Sequence, residues 1–307
     1  HVYNDGTVLV SHGGTEMGQG LYTKIRQIVA NEFGLPVEDV RLSSTDTSRV
    51  PNTSATAASS GTDLNGKAAQ AACQAIRRRI AGFVAERLGI ADEAVIFAGG
   101  LVSAPGFDAT FAAVVADAYR ARIQLWDAGF YKTPKIHYDQ ATMQGRPFYY
   151  FSYGASVSEV AIDTLTGEYK VLRVDILHDV GRSLNPAIDI GQIEGGFIQG
   201  MGWLTTEELV YKADGSLATH APSTYKIPAV SDLPPVFRVA LFDNANVEDS
   251  IHRSKAVGEP PLMLAFSVFF ALRDAVAAAL GKGARPSLDA PATPEAILKA
   301  LHGGTLS

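Results

Sequence analysis

Two short glycine-rich runs of this chain carry one spacing. Gly13-Gly14-Thr15-Glu16-Met17-Gly18-Gln19-Gly20 and Gly195-Gly196-Phe197-Ile198-Gln199-Gly200-Met201-Gly202 each read GG-x3-G-x-G, with a Gln and a Met inside. Glycine-rich turns expose backbone N–H groups to polar or anionic ligands, and a Gln amide offers one donor and one acceptor that pair with an amide-edged ring. Two such anchors, one in each half, imply one extended polar ligand between two subdomains. Common ancestry of the two runs and coincidence in a chain with 29 glycines both stay open at this level.

The surrounding pattern gives the elements that would present these runs. Residues 7–12 read as a strand leading into the first glycine run. Leu21, Ile25, Ile28, Val29 and Phe33 then recur at helical spacing, with Gly34 and Pro36 as the stop. A strand is expected over 37–44. The loop 45–61 is long and contains almost nothing bulky, and long ordered loops in compact domains tend to be functional. A helix is expected over 63–88, followed by a stretch of mixed Ala, Gly and Phe to about residue 119 with no clear period. In the second half, 153–163 and 168–178 read as a hairpin turning near Leu165, Thr166 and Gly167. The helix expected over 186–204 has Ile190, Ile193, Phe197, Met201 and Leu204 as its apolar stripe, while Gly191, Gly195 and Gly202 leave bare backbone open to close approach. A strand at 237–242 and an apolar helix ending near Leu280 complete an α+β chain of two mixed subdomains, 1–135 and 136–307.

Composition excludes several classes. With 47% hydrophobic and 19% charged residues, the 307-residue chain has apolar content for about two packed domains. A net charge of -6 argues against a nucleic-acid partner, and Arg77-Arg78-Arg79 reads as a solvated helix face. The longest apolar stretch, 260–272, is too short to span a bilayer, so no membrane segment is expected. Cys73 is the sole cysteine and sits among alanines, as a small buried residue would. No disulfide framework, iron-sulfur site or short-spaced histidine set can be built, so a metal acting here must be carried by another molecule.

Glu259 lies in Lys255-Ala256-Val257-Gly258-Glu259-Pro260-Pro261, ahead of the apolar helix pattern. A residue before proline is pushed away from the helical region, so Glu259 is expected to be extended, its side chain aimed from a helix mouth. Such a pose suits a base; on this segment alone, a helix-start carboxylate favoured by the helix dipole is also a complete account. Gly61-Thr62-Asp63-Leu64-Asn65-Gly66-Lys67-Ala68 resembles a phosphate loop until Ala68 replaces the magnesium-binding Ser or Thr.

Four segments together carry a specific resemblance: residues 12–20, Pro51-Asn52-Thr53-Ser54-Ala55-Thr56-Ala57-Ala58-Ser59, residues 185–195, and 255–261. In this order they resemble the molybdenum-binding part of the xanthine dehydrogenase family of molybdenum hydroxylases, in its carboxy-terminal region. The likeness extends to 151–154, 223–228 and 288–294 and thins over 82–125.

The resemblance implies a cytoplasmic oxidoreductase of purine metabolism, hydroxylating hypoxanthine to xanthine and xanthine to urate with oxygen from water. It implies a molybdopterin cofactor between the two molybdopterin-binding subdomains, its molybdenum held by the dithiolene with oxo, sulfido and hydroxyl ligands. Met17, Gln19, Ala58, Ser59 and Gln192 would contact the cofactor. Ala58 would stand beside the metal without ligating it, and Ala57 and Ala58 would wall the substrate slot. Glu259 matches the catalytic base. FAD and 2Fe-2S clusters, which pass electrons to NAD, would belong to other domains or chains, with the rest of the molybdenum subunit and a dimeric assembly as further partners. An aldehyde oxidase or another N-heterocycle hydroxylase is the nearest alternative, and a noncatalytic scaffold the alternative of a different class.

Overall fold

The computed structural model of the protein describes residues 1–50, 53–57 and 59–303. The architecture is α+β, in two compact units. The first comprises His1–Phe151 and Asn246–Ala256; the second comprises Ser152–Ala245 and the chain from Val257 onward. The division thus falls after residue 151 rather than 135, and eleven residues of the second half return to the first unit.

In the first unit, strand β1 (Val8–Val10) is followed by helix α1 (Leu21–Phe33) and pairs in parallel with β2 (Val40–Leu42). The expected strand over 37–44 is shorter because Val37–Asp39 form a 3-10 turn first. Helix α2 (Gly61–Leu88) packs its Ile76, Ile80 and Val84 into a core shared with Val29 and Phe33 of α1. The stretch without a clear period is a three-stranded meander, β3 (Ile96–Ala98), β4 (Leu101–Ala104) and β5 (Phe107–Thr110), closed by helix α3 (Phe111–Arg120). Phe111 meets Phe33 at 5.5 Å between ring centroids, which ties the meander to α1. Two arginines of the 77–79 run are structural rather than merely solvated. Arg77 lies over the Phe97 ring at 5.1 Å, and Arg79 donates to the Gln124 and Trp126 carbonyls at 2.7 and 3.1 Å. Cys73 is buried, as expected. A small hairpin, β6 (His137–Asp139) and β7 (Gln144–Arg146), completes the unit's strands.

The second unit is built on the expected hairpin, β8 (Gly154–Ile162) and β9 (Tyr169–His178), with β10 (Val236–Leu241) added parallel to β9. Helix α4 (Pro186–Thr205) begins at Asn185, whose side-chain oxygen accepts the Ile188 N–H at 3.2 Å. Its stripe Ile193, Phe197, Met201 and Leu204 is buried, together with Val268, Leu272 and Val276 of helix α5 (Phe266–Leu280). Helix α6 (Pro294–Leu301), absent from the sequence reading, starts at a Thr293 cap. The segment Pro260–Leu280 is long and apolar enough to cross a membrane by length and composition, which the shorter stretch read from sequence did not suggest. Here it is a 3-10 turn (Pro260–Ala265) followed by α5, and Ala265, Val268, Leu272 and Val276 are fully enclosed in the unit's own core.

The glycines of α4 fall into two sets. A Cβ added at Gly191 or Gly195 would meet nothing, so their backbone is bare as expected, and close approach of the unit's own chain lies elsewhere. It occurs at two other glycines. A Cβ on Gly196 would lie 3.1 Å from the Pro261 Cβ, and one on Gly200 would lie 2.8 Å from the Ala265 Cβ and closer still to the Leu262 carbonyl. Gly202, by contrast, is covered by Pro228 and Glu207. Gly200→Ala is therefore expected to lift the turn from α4 and cost about 1–3 kcal/mol, read by denaturant unfolding of the second unit. Gly191→Ala should be neutral or stabilising by up to about 1 kcal/mol, since only helix propensity changes. Equal effects from the two substitutions would refute the contact.

Candidate functional site

The glycine run of the first unit is organised by a residue that the sequence reading passed over. Glu16 turns its carboxylate back into the loop, where Oε1 accepts the Gly18 and Gly20 N–H groups at 2.9 and 3.0 Å and Oε2 accepts the Tyr22 N–H at 2.9 Å. It thereby satisfies donors at the start of α1, where Gly20 offers no side-chain cap. Burial pushes the Glu16 carboxyl up, but the backbone donors outweigh it and hold the group below the usual carboxylate range. An acidic residue just ahead of a helix is the signal that could have found it.

The same loop is fastened to the small-residue loop. The Thr15 N–H donates to Thr56 Oγ1 at 2.8 Å, and a Cβ on Gly13 would run into the Thr53 side chain. Thr45 Oγ1 bonds the His12 and Gly14 carbonyls at 3.1 and 2.8 Å. A cavity of about 500 Å³ lies against both loops, walled by His12, Gly13, Gly14, Thr53, Ala57 and Ser60 among others. His12 accepts the Gly14 N–H at Nδ1 at 3.0 Å, so its proton sits on Nε2. That Nε2 is buried without a partner, and burial holds the His12 pKa down although Glu16 opposes the shift.

The predicted contact residues are placed as follows. Met17 is exposed, and Gln19 is half-buried with its amide engaged inside the loop: its oxygen accepts the Met17 N–H at 2.5 Å and its NH2 donates to the Thr15 carbonyl at 2.8 Å. A ligand held by Gln19 must exchange those bonds. Ala57 is exposed on the cavity wall, its carbonyl accepting the Ser60 hydroxyl at 3.1 Å. Ser59 has φ +52°, a left-handed conformation rare for a residue with a Cβ. Ala58, with Pro51 and Asn52, lies outside the described residues. The phosphate-loop resemblance ends here, because Gly61–Lys67 are the first turns of α2 and Lys67 pairs with Asp249 at 3.1 Å.

In the second unit, Gln192 stands half-buried on α4, one helical turn before Gly196. Gly196 receives the turn that follows Glu259, with the Gly258 carbonyl and Pro261 near the position a Cβ would take. One face of α4 therefore brings Gln192 and the Glu259 segment together. Glu259 itself is exposed and helical, φ -96° and ψ -37°, not extended. The pre-proline restriction yields because the Glu259 carbonyl opens the 3-10 turn, accepting the Leu262 N–H at 3.1 Å. Among the described residues no group of three His, Cys, Asp or Glu could hold a metal ion.

Residues 1–234 match the family model described as a molybdopterin cofactor-binding domain. The chain belongs to that family. Xanthine dehydrogenase/oxidase of Rattus norvegicus is 50% identical over 305 residues, covering 98% of this chain and 22% of the relative. The chain thus spans about a fifth of that protein's length. Among solved structures, quinoline 2-oxidoreductase from Pseudomonas putida 86 aligns with TM-score 0.81 and 26% identity over 98% of this chain and 37% of its own. The CO dehydrogenase of Oligotropha carboxidovorans, at TM-score 0.83 and 20% identity over 98% of this chain and 36% of its own, shares the fold.

The Glu16 bonds predict a measurable loop response. Glu16→Ala removes about 1–2 kcal/mol from the loop and helix start, so hydrogen exchange at Gly18, Gly20 and Tyr22 should speed about tenfold or more. Because the folded pKa lies below the unfolded one, the protection is present above the ordinary glutamate value of 4.5 and is lost as pH falls through the folded value. Protection unchanged in Glu16→Ala would contradict this role.

Proposed function

We propose that the chain is the carboxy-terminal part of the molybdenum-binding region of a xanthine dehydrogenase. It would oxidise hypoxanthine to xanthine and xanthine to urate: purine, water and NAD⁺ yield hydroxylated purine, NADH and one proton. The observation that carries this is 50% identity over 98% of the chain to a relative of that name, against 26% to an enzyme named for quinoline.

The residues present suit a pterin-type cofactor. The cavity beside the glycine loop has a buried Nε2–H without a partner in its wall, and the Gln19 and Gln192 amides can pair with an amide-edged ring. Met17, Gln19, Ser59 and Gln192 would hold the cofactor, and Ala58 would stand beside the metal. When bound, the molybdenum centre supplies the two-electron acceptor for substrate oxidation.

Ala57, exposed on the cavity wall, leaves room for a flat ring, and Ala58 would be the second substrate-contact residue. Glu259 would take the proton released as the water-derived oxygen enters the ring carbon, and its turn, seated on Gly196 and Gly200, fixes the backbone from which the side chain extends. The electrons would leave through 2Fe-2S clusters and FAD to NAD. Those groups, the remainder of the molybdenum subunit and a second copy of the whole enzyme are the partners, in the cytoplasm.

Glu259→Gln in the assembled enzyme should lower kcat/KM for xanthine by at least about 10²–10⁴ while molybdenum content stays at the wild-type level. Undiminished turnover in this variant would remove Glu259 from its role. A wild-type enzyme that loads molybdenum but leaves xanthine untouched would overturn the substrate assignment.

A further inference from the structure

One polar group in the cavity wall of the first unit has no role among the contact residues named so far. His12, just after β1, is only 7% exposed, yet its Nε2 has no hydrogen-bond partner. The rest of the residue is tightly held. Nδ1 accepts the Gly14 N–H at 3.0 Å, the Tyr22 ring stands at 87° to the imidazole with centroids 5.3 Å apart, and the His12 carbonyl accepts the Thr45 hydroxyl at 3.1 Å. Gly14 comes this close because it lacks a Cβ, which would lie 3.1 Å from Nδ1 and 2.6 Å from the Leu21 side chain. Every residue of this arrangement belongs to the first unit.

The bond from Gly14 makes Nδ1 the acceptor, so the ring proton is on Nε2. Burial holds the His12 pKa below the usual histidine value, against the opposing charge of Glu16, and the ring stays neutral near neutral pH. Buried donors are seldom left unbonded, since each has given up its bond to water; a fixed and unmatched one in a cavity wall marks where an acceptor fits.

We propose that His12 is a further binding residue of this cavity, donating its Nε2–H to a ring carbonyl oxygen of the pterin-type cofactor. This rests on reading the cavity as part of the cofactor site. The wall around the imidazole includes Gly13, Gly14, Ala57 and Ser60, which have little bulk to keep a flat ring away. A neutral donor suits a carbonyl oxygen, which needs a directed bond and no countercharge. Tyr22 and the Gly14 bond fix the imidazole before the ligand arrives, so the donor is oriented by the fold.

The test uses the assembled enzyme carrying its cofactor. Molybdenum retained per subunit is followed by metal analysis during dialysis against mild urea, and hydrogen exchange is followed at Gly14. His12→Asn keeps an oxygen to accept the Gly14 N–H but removes the Nε2–H, whereas His12→Gln places an amide N–H near the Nε2 position. His12→Asn should release molybdenum about tenfold faster than wild type with Gly14 exchange within about twofold, and His12→Gln should bring release back to within about threefold of wild type. Release from His12→Asn at the wild-type rate overturns the proposal, whether or not KM for xanthine moves. Equal losses in both variants, or a loss accompanied by fast Gly14 exchange, overturn it in favour of a purely structural role in the loop. A wild-type enzyme that holds no molybdenum would overturn the cofactor reading itself, and this assignment with it.

Discussion

Helix α4 and the turn Pro260–Ala265 can meet backbone to backbone only because Gly196 and Gly200 carry no Cβ. Everything proposed for the second unit depends on that contact. It seats the turn whose first carbonyl belongs to Glu259, and it does so on the face of the helix that also presents Gln192 one turn earlier. A carboxylate on an untethered loop would sample many backbone states; one whose neighbours are packed to contact distance on a helix loses that backbone freedom at folding rather than at each turnover.

The first unit solves a related problem by polar means. Its glycine run has little to bury, so it is held by Glu16, by Thr56 and by Thr45, each supplying oxygens to backbone donors or a hydroxyl to carbonyls. The result is an ordered, nearly side-chain-free wall beside a cavity, with one imidazole N–H left for a ligand to satisfy. Close packing at glycine in one unit and hydrogen bonds in the other each tie down a glycine-rich segment.

Much of this was legible in the sequence, and the gaps have physical reasons. Helices α1, α2 and α4 and the β8–β9 hairpin lie close to where the sequence pattern puts them. The meander did not show, since its strands are only three or four residues long, and α3 and α6 carry apolar stripes that are brief enough to be passed over. Spacing identified α4 as glycine-rich but could not tell Gly191 and Gly195, which face open space, from Gly196 and Gly200, which receive the turn. The pre-proline rule gave the wrong backbone for Glu259 because the 3-10 turn begins at its own carbonyl.

The most direct test is a crystal structure of the assembled enzyme with its cofactor and a slowly oxidised purine bound. The account predicts a Glu259 carboxylate oxygen at hydrogen-bonding distance, about 3 Å, from the reacting centre, with Pro261 still seated on Gly196. A Glu259 side chain turned away from a bound purine, or a turn lifted off α4 to reach it, would contradict the claim that the fold sets the base in place.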